Sequence, residues 1–305
     1  SGRAAFLGGW AVLFDNALLL QTRLLALDGM MILFMLAAVS LALLAVRQAR
    51  LRGQLLASVG AGLCVGMAVG TKFTGLTGGV LVGAVLLLVS GEPRFARRLG
   101  LGVCALLAAL VVYLGGWVLH FHLLDQPGPG DLWGTPSGEL LGDILKVHQQ
   151  MLSANYGLGA EHPDASAWWQ WPWMWQPLYY FADGNRAIYF VGNPVVWWGS
   201  TVGLLCVFWG VIRGRGYGAQ CAPYLVSFLP YVFIPRVLFL YHYLPSLVFA
   251  VMAAMVLTGT LYPLLIDALG AGKISVGPPY FGLLFTWLLI PMVLARPDRA
   301  WLYAL

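Results

Sequence analysis

Three cationic side chains lie at the ends of apolar segments, where they could bind an anion. Arg23 ends the run DNALLLQTR, Lys72 lies in the turn GTKFTG, and Arg236 begins the stretch RVLFLYHYLP. A guanidinium binds phosphate oxygens through two parallel N–H bonds, and an ammonium contributes a compact positive charge. The sequence therefore predicts that Arg23, Lys72 and Arg236 border one outward cavity and bind a phosphate or diphosphate.

Tyr241 and His242 follow in the last of these stretches, and we predict that they lie beside the bound phosphate. Histidine carries both a donor and an acceptor nitrogen, so a purely structural role for His242 stays open. Two of the cations also have a structural interpretation. Arg23 could pair with Asp15, eight residues earlier, or reach the membrane interface, and Lys72 could be an interfacial anchor.

The composition places these residues in a membrane protein. The chain has 305 residues, of which 60% are hydrophobic and 10% are charged, and its mean hydropathy is +0.80. Soluble domains carry about 25% charged residues. The net charge of +5 needs no nucleic-acid partner, because cationic loops on the cytoplasmic side would produce it.

Nine apolar segments have about the length that a membrane-spanning helix requires. They are residues 4–22, 28–46, 54–70, 73–90, 99–119, 187–212, 219–235, 239–262 and 278–296. This pattern predicts an all-α, polytopic bundle of membrane helices. The arginine-rich loops after the second, fourth and sixth segments then share one side, which the positive-inside rule makes cytoplasmic. The three cations named above fall on the opposite side.

Residues 120–186 form the longest interruption of the apolar pattern and divide the chain into three parts. The sequence predicts an N-terminal bundle over 1–119, an extracytoplasmic loop over 120–186 and a C-terminal bundle over 187–305. Within the loop, helical spacing of apolar residues over 139–155 predicts an amphipathic helix at the membrane interface. The run WWQWPWMW favours the headgroup level. Both segments either anchor the loop or roof a substrate cavity.

Six stretches, in order along almost the whole chain, resemble one family. They are FDNALLLQTRLLALDG, VGTKFTG, HFHLLDQPGPGD, HPDASAWWQWPWMWQPLYYF, GNPVVWW and FLYHYLPSL. Together they resemble the membrane core of protein O-mannosyltransferases, within the GT-C class of polyprenyl-phosphate-sugar glycosyltransferases. These stretches also supply the residues predicted to line the donor and acceptor cavity, namely Asp28, Asp131, His162, Trp171 and Asn193.

The resemblance implies transfer of mannose from a polyprenyl phosphate to Ser or Thr of secreted proteins, with inversion, at the extracytoplasmic face of the cell membrane. The donor phosphate leaves, a carboxylate acts as general base, and cations stabilise the departing phosphate. No cofactor is implied beyond this donor. The pair His120 and His122 lacks the further ligands of a zinc site, so no metal is predicted.

The chain departs from the family pattern in its acidic residues and in its loop. The family's catalytic Asp-Glu motif lies in the first external loop, and this chain contains no adjacent Asp-Glu pair. Its first segment resembles the family's third span, so we expect the motif N-terminal to this chain, which alone would be inactive. The short 120–186 loop, without a β-trefoil insertion, suggests a bacterial or archaeal type.

Three other functions stay open on the sequence. The first is another lipid-phosphate-sugar glycosyltransferase, of the kind that modifies lipid A. The second is a transporter of lipid-linked sugars, although such proteins are expected to contain internal repeats. The third is a non-catalytic subunit, which the missing acidic motif favours.

Overall fold

The computed structural model of the chain consists of helices and one short β-hairpin. It describes residues 2–24, 26–89, 95–124, 136–157, 159, 161–184, 186–214 and 216–270, with side chains up to residue 257. The helices are α1 (Gly2–Leu13), α2 (Asn16–Arg23), α3 (Leu27–Arg47), α4 (Leu51–Thr71), α5 (Leu76–Leu88), α6 (Phe95–Leu123), α7 (Leu140–Gly157), α8 (Pro194–Ile212), α9 (Gly218–Phe228) and α10 (Leu244–Gly270). The strands are β1 (Leu178–Asp183) and β2 (Arg186–Phe190), and 3-10 turns cover Phe73–Gly75, Trp168–Trp173, Leu229–Phe233 and Leu240–Tyr243. The all-α prediction is confirmed.

Among the described residues, five helical segments are long and apolar enough to cross a membrane. They are α3, α4, α6, α8 and the segment Leu240–Leu257. A sixth span would join α1 and α2, which meet at a bend of 51°. Shorter helices that adjoin 3-10 turns occupy most of the predicted segments 73–90 and 219–235. The predicted span 278–296 lies outside the described residues.

The described chain forms two compact units. The first unit combines residues 1–26, 161–232 and 237 onward, and the second combines 27–160 with 233–236. The predicted three-part division follows the expected membrane loops rather than contacts between residues, and it stays a prediction.

In the second unit, small residues bring α4 into direct contact with α6. A Cβ atom on Gly62 would stand 2.0 Å from the carbonyl oxygen of Ala105, and one on Gly66 would stand 2.6 Å from that of Ala109. Helices in lipid associate through such close approaches of small residues, because apolar side chains gain little by leaving the lipid. Glycines of α4 that face alanines of α6 therefore set the spacing between these two helices.

Helix α7 of the second unit confirms the helix predicted over 139–155. Ile144 is buried, whereas Leu141, Leu145 and Leu152 are 72%, 62% and 56% exposed. These three leucines lie on one side of the helix, adjacent to the buried side. An exposed apolar stripe of this kind suits a lipid contact, and the interfacial location of α7 stays a prediction.

In the first unit, β1 and β2 pair in an antiparallel hairpin that the sequence did not predict. The register runs from Leu178 opposite Phe190 to Asp183 opposite Arg186, with an irregularity at Tyr180. Gly184 in the turn has φ +55°, a conformation that glycine adopts without steric cost. The predicted span 187–212 therefore begins too early, because its first residues complete a hairpin rich in β-favouring aromatic and branched side chains.

Candidate functional site

A tight turn at the end of α4 fixes the backbone of Lys72. The Lys72 N–H donates to the carbonyl oxygen of Ala68 at 3.0 Å, and the Lys72 carbonyl oxygen accepts from the N–H of Gly75 at 2.8 Å. A Cβ atom on Gly75 would stand 2.5 Å from backbone atoms of Ala68. The sequence GTKFTG thus folds into a turn that only glycine at its end permits.

The side chain of Lys72 is held by an acidic residue of the same unit. Its ammonium nitrogen lies 2.6 Å from Oδ1 of Asp28, in the first turn of α3. The side chain of Asp28 is 5% exposed, whereas that of Lys72 is 22% exposed. A carboxylate so deeply buried needs a charged or hydrogen-bonding partner, and the lysine supplies one while part of it stays accessible. Lys72, for which the sequence left open a role as an interfacial anchor, therefore has a specific partner in Asp28.

A second buried carboxylate, Asp15, lies at the bend between α1 and α2 in the first unit. Its Oδ1 accepts from the N–H of Leu18 at 3.1 Å, which caps α2. Its Oδ2 accepts from the N–H of Asn193 at 3.0 Å and from Nε1 of Trp197 at 2.9 Å. The side chain is fully buried. Asp15 therefore joins the break in the first apolar segment to the beginning of α8.

This arrangement corrects the ion pair considered for Asp15 and Arg23. The carboxylate accepts from three N–H groups, two of the backbone and one of the Trp197 indole. Arg23 is exposed in the last turn of α2. The pair Asp15-Asn16 in the middle of an apolar run is a typical helix-start signal, and it could have predicted the break.

The motif GNPVVWW positions the other partners of Asp15. The side chain of Asn193 accepts from the N–H of Val195 at 3.0 Å and caps α8, and Pro194 occupies the first helical position. A Cβ atom on Gly192 would stand 1.8 Å from Nε1 of Trp197. Asn193 was predicted to line a substrate cavity, and in the structure it is a buried helix cap.

An aromatic cluster in the first unit collects four of the predicted site residues. The ring of His242 stacks on Tyr241 at 4.3 Å and on Trp171 at 6.0 Å between centroids. His162 contacts Phe239 edge-on at 5.1 Å, and Phe239 stacks on Tyr241 at 5.7 Å. His242 is 2% exposed and Trp171 fully buried.

Hydrogen bonds hold the cluster in place. Trp171 donates from Nε1 to Oγ of Ser166 at 2.9 Å, and the N–H of Ser166 donates to the carbonyl oxygen of Leu238 at 2.9 Å. Nδ1 of His242 lies 3.0 Å from the carbonyl oxygen of Phe239. The structure thus brings His162, Tyr241 and His242 together around Phe239, and Trp171 joins the cluster by stacking on His242.

The remaining predicted residues are distributed over both units. Arg23 belongs to the first unit, whereas Lys72, Asp28 and Arg236 belong to the second. Arg236 is half-buried, and its Nε has no hydrogen-bond partner among the described residues. Asp131 lies outside the described residues. The prediction that the three cations share one phosphate stays a prediction.

Sequence reasoning missed one polar pair that joins α6 to α7. The hydroxyl of Tyr113 lies 2.7 Å from Nε2 of His148, whose Nδ1 lies 2.6 Å from the carbonyl oxygen of Ile144. A carbonyl oxygen only accepts, so Nδ1 donates, and Nε2 of the neutral ring accepts from the tyrosine. Phe73 and Trp117 also contact the imidazole ring. His148 interrupts the apolar stripe of α7, and that was the available signal.

Comparisons with known proteins assign the chain to a family. The described spans define a polytopic membrane protein. Residues 1–114 match the family profile "Dolichyl-phosphate-mannose-protein mannosyltransferase", and residues 140–293 match "C-terminal four TMM region of protein-O-mannosyltransferase". The chain therefore belongs to the protein O-mannosyltransferase family, as its sequence motifs predicted.

Relatives and a solved structure agree with this assignment. Dolichyl-phosphate-mannose–protein mannosyltransferase 1 of Candida albicans is 26% identical over 147 residues, which are 42% of this chain and 17% of that protein. The fold is similar to that of the Saccharomyces cerevisiae protein O-mannosyltransferase Pmt1-Pmt2 complex bound to the sugar donor, with a TM-score of 0.69 and 13% identity over 84% of this chain and 69% of that chain. The match thus spans about a sixth of the length of that curated relative.

A short segment is similar to a different protein. It is 62% identical over 40 residues to the cytochrome c-type biogenesis protein CcmF of Pseudomonas fluorescens, which is 13% of this chain and 6% of that protein. A match of this length covers too little of either protein to assign a function.

Proposed function

We propose that this chain is the membrane core of an enzyme that transfers a mannosyl residue from a polyprenyl phosphate to Ser or Thr of secreted proteins. The observation that carries the proposal is the match of two family profiles over residues 1–114 and 140–293. The name of the Candida albicans relative specifies dolichyl-phosphate-mannose as donor and protein as acceptor. The similar yeast complex is described as bound to the sugar donor.

In the proposed reaction, the acceptor hydroxyl oxygen attacks the anomeric carbon of the sugar. The bond from that carbon to the phosphate oxygen breaks, and the polyprenyl phosphate leaves with the electron pair. A carboxylate removes the hydroxyl proton, and attack opposite the leaving group inverts the anomeric centre. The base belongs to the Asp-Glu motif that this chain does not contain.

The role proposed for Lys72 is to bind the donor phosphate and to stabilise it as it leaves. An ammonium aimed at the departing group offsets the charge that develops there. Arg23 and Arg236 are proposed as further phosphate ligands. Neither a metal nor a cofactor is part of the proposal. We place the reaction at the extracytoplasmic face of the plasma membrane, because the arginine-rich loops mark the opposite side.

A non-catalytic subunit that binds the donor is the second candidate, and it is favoured by the absence of an adjacent Asp-Glu pair in the sequence. Such a subunit would share the fold and the phosphate site with the enzyme. It would bind the lipid donor without turning it over.

The test uses membranes that contain the chain together with a segment that supplies the Asp-Glu motif, radiolabelled polyprenyl-phosphate-mannose and a Ser/Thr-rich peptide. Transfer of label to this peptide, and not to a peptide with alanine at each hydroxyl position, supports the enzyme. Binding of the donor without transfer supports the subunit. If the membranes bind the lipid-linked sugar no better than membranes without the chain, both candidates are wrong.

A further inference from the structure

We propose that Asp28 sets the charge preference of the Lys72 site, so that the donor phosphate and the more highly charged product phosphate bind with similar strength. The inference rests on the proposed function, which makes Lys72 a ligand of a lipid phosphate. It assigns to Asp28 a task beyond holding two helices together.

The donor and the product differ in charge because the reaction converts a phosphodiester into a phosphomonoester. A polyprenyl-phosphate sugar is a phosphodiester and carries one negative charge. When the bond to the sugar breaks, the lipid keeps a phosphomonoester, whose second pKa near 6 gives it −1.5 to −2 charges at pH 7. A site with a net positive charge would therefore bind the product more tightly than the donor and would slow product release.

The geometry places Asp28 close enough to counteract this effect. The ammonium of Lys72 lies 2.6 Å from Oδ1 of Asp28, and a phosphate oxygen bound to the same ammonium would lie about 2.8 Å from it. The carboxylate and the phosphate oxygen are then separated by no more than about 5–6 Å. At an effective dielectric constant of 20, repulsion over that distance is on the order of a hundredfold in affinity per unit of phosphate charge, before salt screening.

The unequal exposure of the pair fits this role. The side chain of Asp28 is 5% exposed and that of Lys72 is 22% exposed. An incoming phosphate would therefore contact the lysine, and the more deeply buried carboxylate would repel it. The backbone turn at Gly75 fixes the Cα of Lys72, so the ammonium can move relative to Asp28 only by rotation of the lysine side chain. The pair therefore places an attractive charge next to the phosphate and a repulsive charge farther from it.

The experiment compares two farnesyl lipids on the purified chain in detergent at pH 8. Farnesyl phosphate represents the product, farnesyl methyl phosphate represents the singly charged donor, and farnesol is the uncharged control. Dissociation constants are measured by binding titration. We expect the unmodified chain to bind the two phosphates within about threefold of each other, because repulsion from Asp28 and the desolvation of the second phosphate charge together offset the attraction that the cations exert on that charge.

Substitutions in the pair should shift this ratio in opposite directions. Asp28→Asn should increase the preference for farnesyl phosphate over the diester by about tenfold, because the repulsive charge is gone. Lys72→Met should weaken both lipids and shift the ratio about tenfold toward the diester. A purely structural ion pair would change stability and leave the ratio unaltered.

Matched controls come from charged residues elsewhere in the chain. Asp183→Asn alters an exposed aspartate of the β-hairpin, and Lys146→Met alters an exposed lysine of α7. Both variants should keep the ratio of the unmodified chain.

Each outcome decides between the proposals. An unaltered ratio in Asp28→Asn, with weaker binding in Lys72→Met, overturns the role of Asp28 and leaves the phosphate site intact. If Asp28→Asn does not fold, the double variant Asp28→Asn/Lys72→Met, which leaves no unpaired charge, is compared with Lys72→Met, and an equal ratio in these two variants overturns the role of Asp28. If the unmodified chain binds neither phosphate better than farnesol, the donor site of the proposed function fails, and the inference fails with it.

Discussion

Asp15 and Asp28 are two buried carboxylates at the ends of apolar helices, and they are satisfied in different ways. Asp15 accepts three hydrogen bonds from neutral N–H groups. Asp28 binds the ammonium of Lys72. The neutral donors of Asp15 belong to two segments that are far apart in the sequence, and their hydrogen bonds fix the backbone of both segments. A partly exposed cation, in contrast, can be shared with a ligand, so the first site is built for structure and the second is open to function.

The largest effect is expected at Asp15. Asp15→Ala would leave the N–H groups of Leu18 and Asn193 and the indole N–H of Trp197 buried without an acceptor. Each such group costs about 1–3 kcal/mol, so the three together should lower the free energy of unfolding by about 3 kcal/mol or more. Unfolding in mixed micelles measures this loss. Asp15→Asn keeps one acceptor oxygen and should lose less, and equal losses in both variants would contradict the hydrogen-bond account.

Gly192→Ala tests the same site through packing. The added methyl would stand 1.8 Å from Nε1 of Trp197, so the indole must move away from Asp15. Overpacking of this kind costs about 1–3 kcal/mol. The thermal unfolding temperature in detergent should fall, whereas Gly199→Ala in α8, where a Cβ would meet nothing within 4 Å, should leave it nearly unaltered. Similar shifts in both variants would refute the contact.

Asp28→Asn should destabilise the protein less than Asp15→Ala does. The asparagine keeps a polar oxygen near Lys72, and the lysine is accessible enough to recover some hydration. We expect a loss of about 1–2 kcal/mol, below the cost of breaking a fully buried pair. A loss as large as that of Asp15→Ala would mean that the two carboxylates do the same structural work.

Asp143 extends the comparison to a carboxylate outside the membrane spans and gives the smallest effect. Hydrogen bonds from the N–H and hydroxyl of Ser137, at 2.9–3.0 Å, lower its pKa from the usual 3.8. A lowered folded-state pKa stabilises the folded loop above pH 4, and this contribution is lost as the pH falls through the lowered value.

Hydrogen-exchange protection of residues 137–140, corrected for intrinsic rates, measures that transition. Protection should stay constant from pH 7 to 5 and decrease below about pH 4. Asp143→Asn should show weak protection at every pH. A decrease in both proteins with the same pH dependence would assign the transition to other groups.

The sequence predicted those elements whose environment permits only one secondary structure. A run of about 20 apolar residues in lipid must be helical because its backbone groups have no water to bind, and α3, α4 and α6 follow from this rule. Helix α7 followed from its period of 3.6. The family also followed, because its motifs are spread in order along the chain.

The missed features depend on partners far away in the sequence. Asp15 and Trp197 are 182 residues apart, and no local pattern shows that an indole reaches that carboxylate. The pairing of Lys72 with Asp28 spans 44 residues. In each case the residue type indicated that a polar group needed a partner, and only the fold showed which partner it found.

The contact between Tyr113 and His148 has a consequence for the lipid that surrounds the protein. The apolar part of α6, residues 99–119, is about 30 Å long at 1.5 Å per residue, close to the hydrocarbon thickness of a bilayer. Tyr113 lies about 9 Å from the C-terminal end of that segment. Because α7 is hydrogen-bonded to α6 at that depth, we expect the position of α7 in the membrane to follow α6 and not the headgroups. Lipids with longer acyl chains would therefore cover α7 more deeply, and shorter ones would leave it in the headgroup layer.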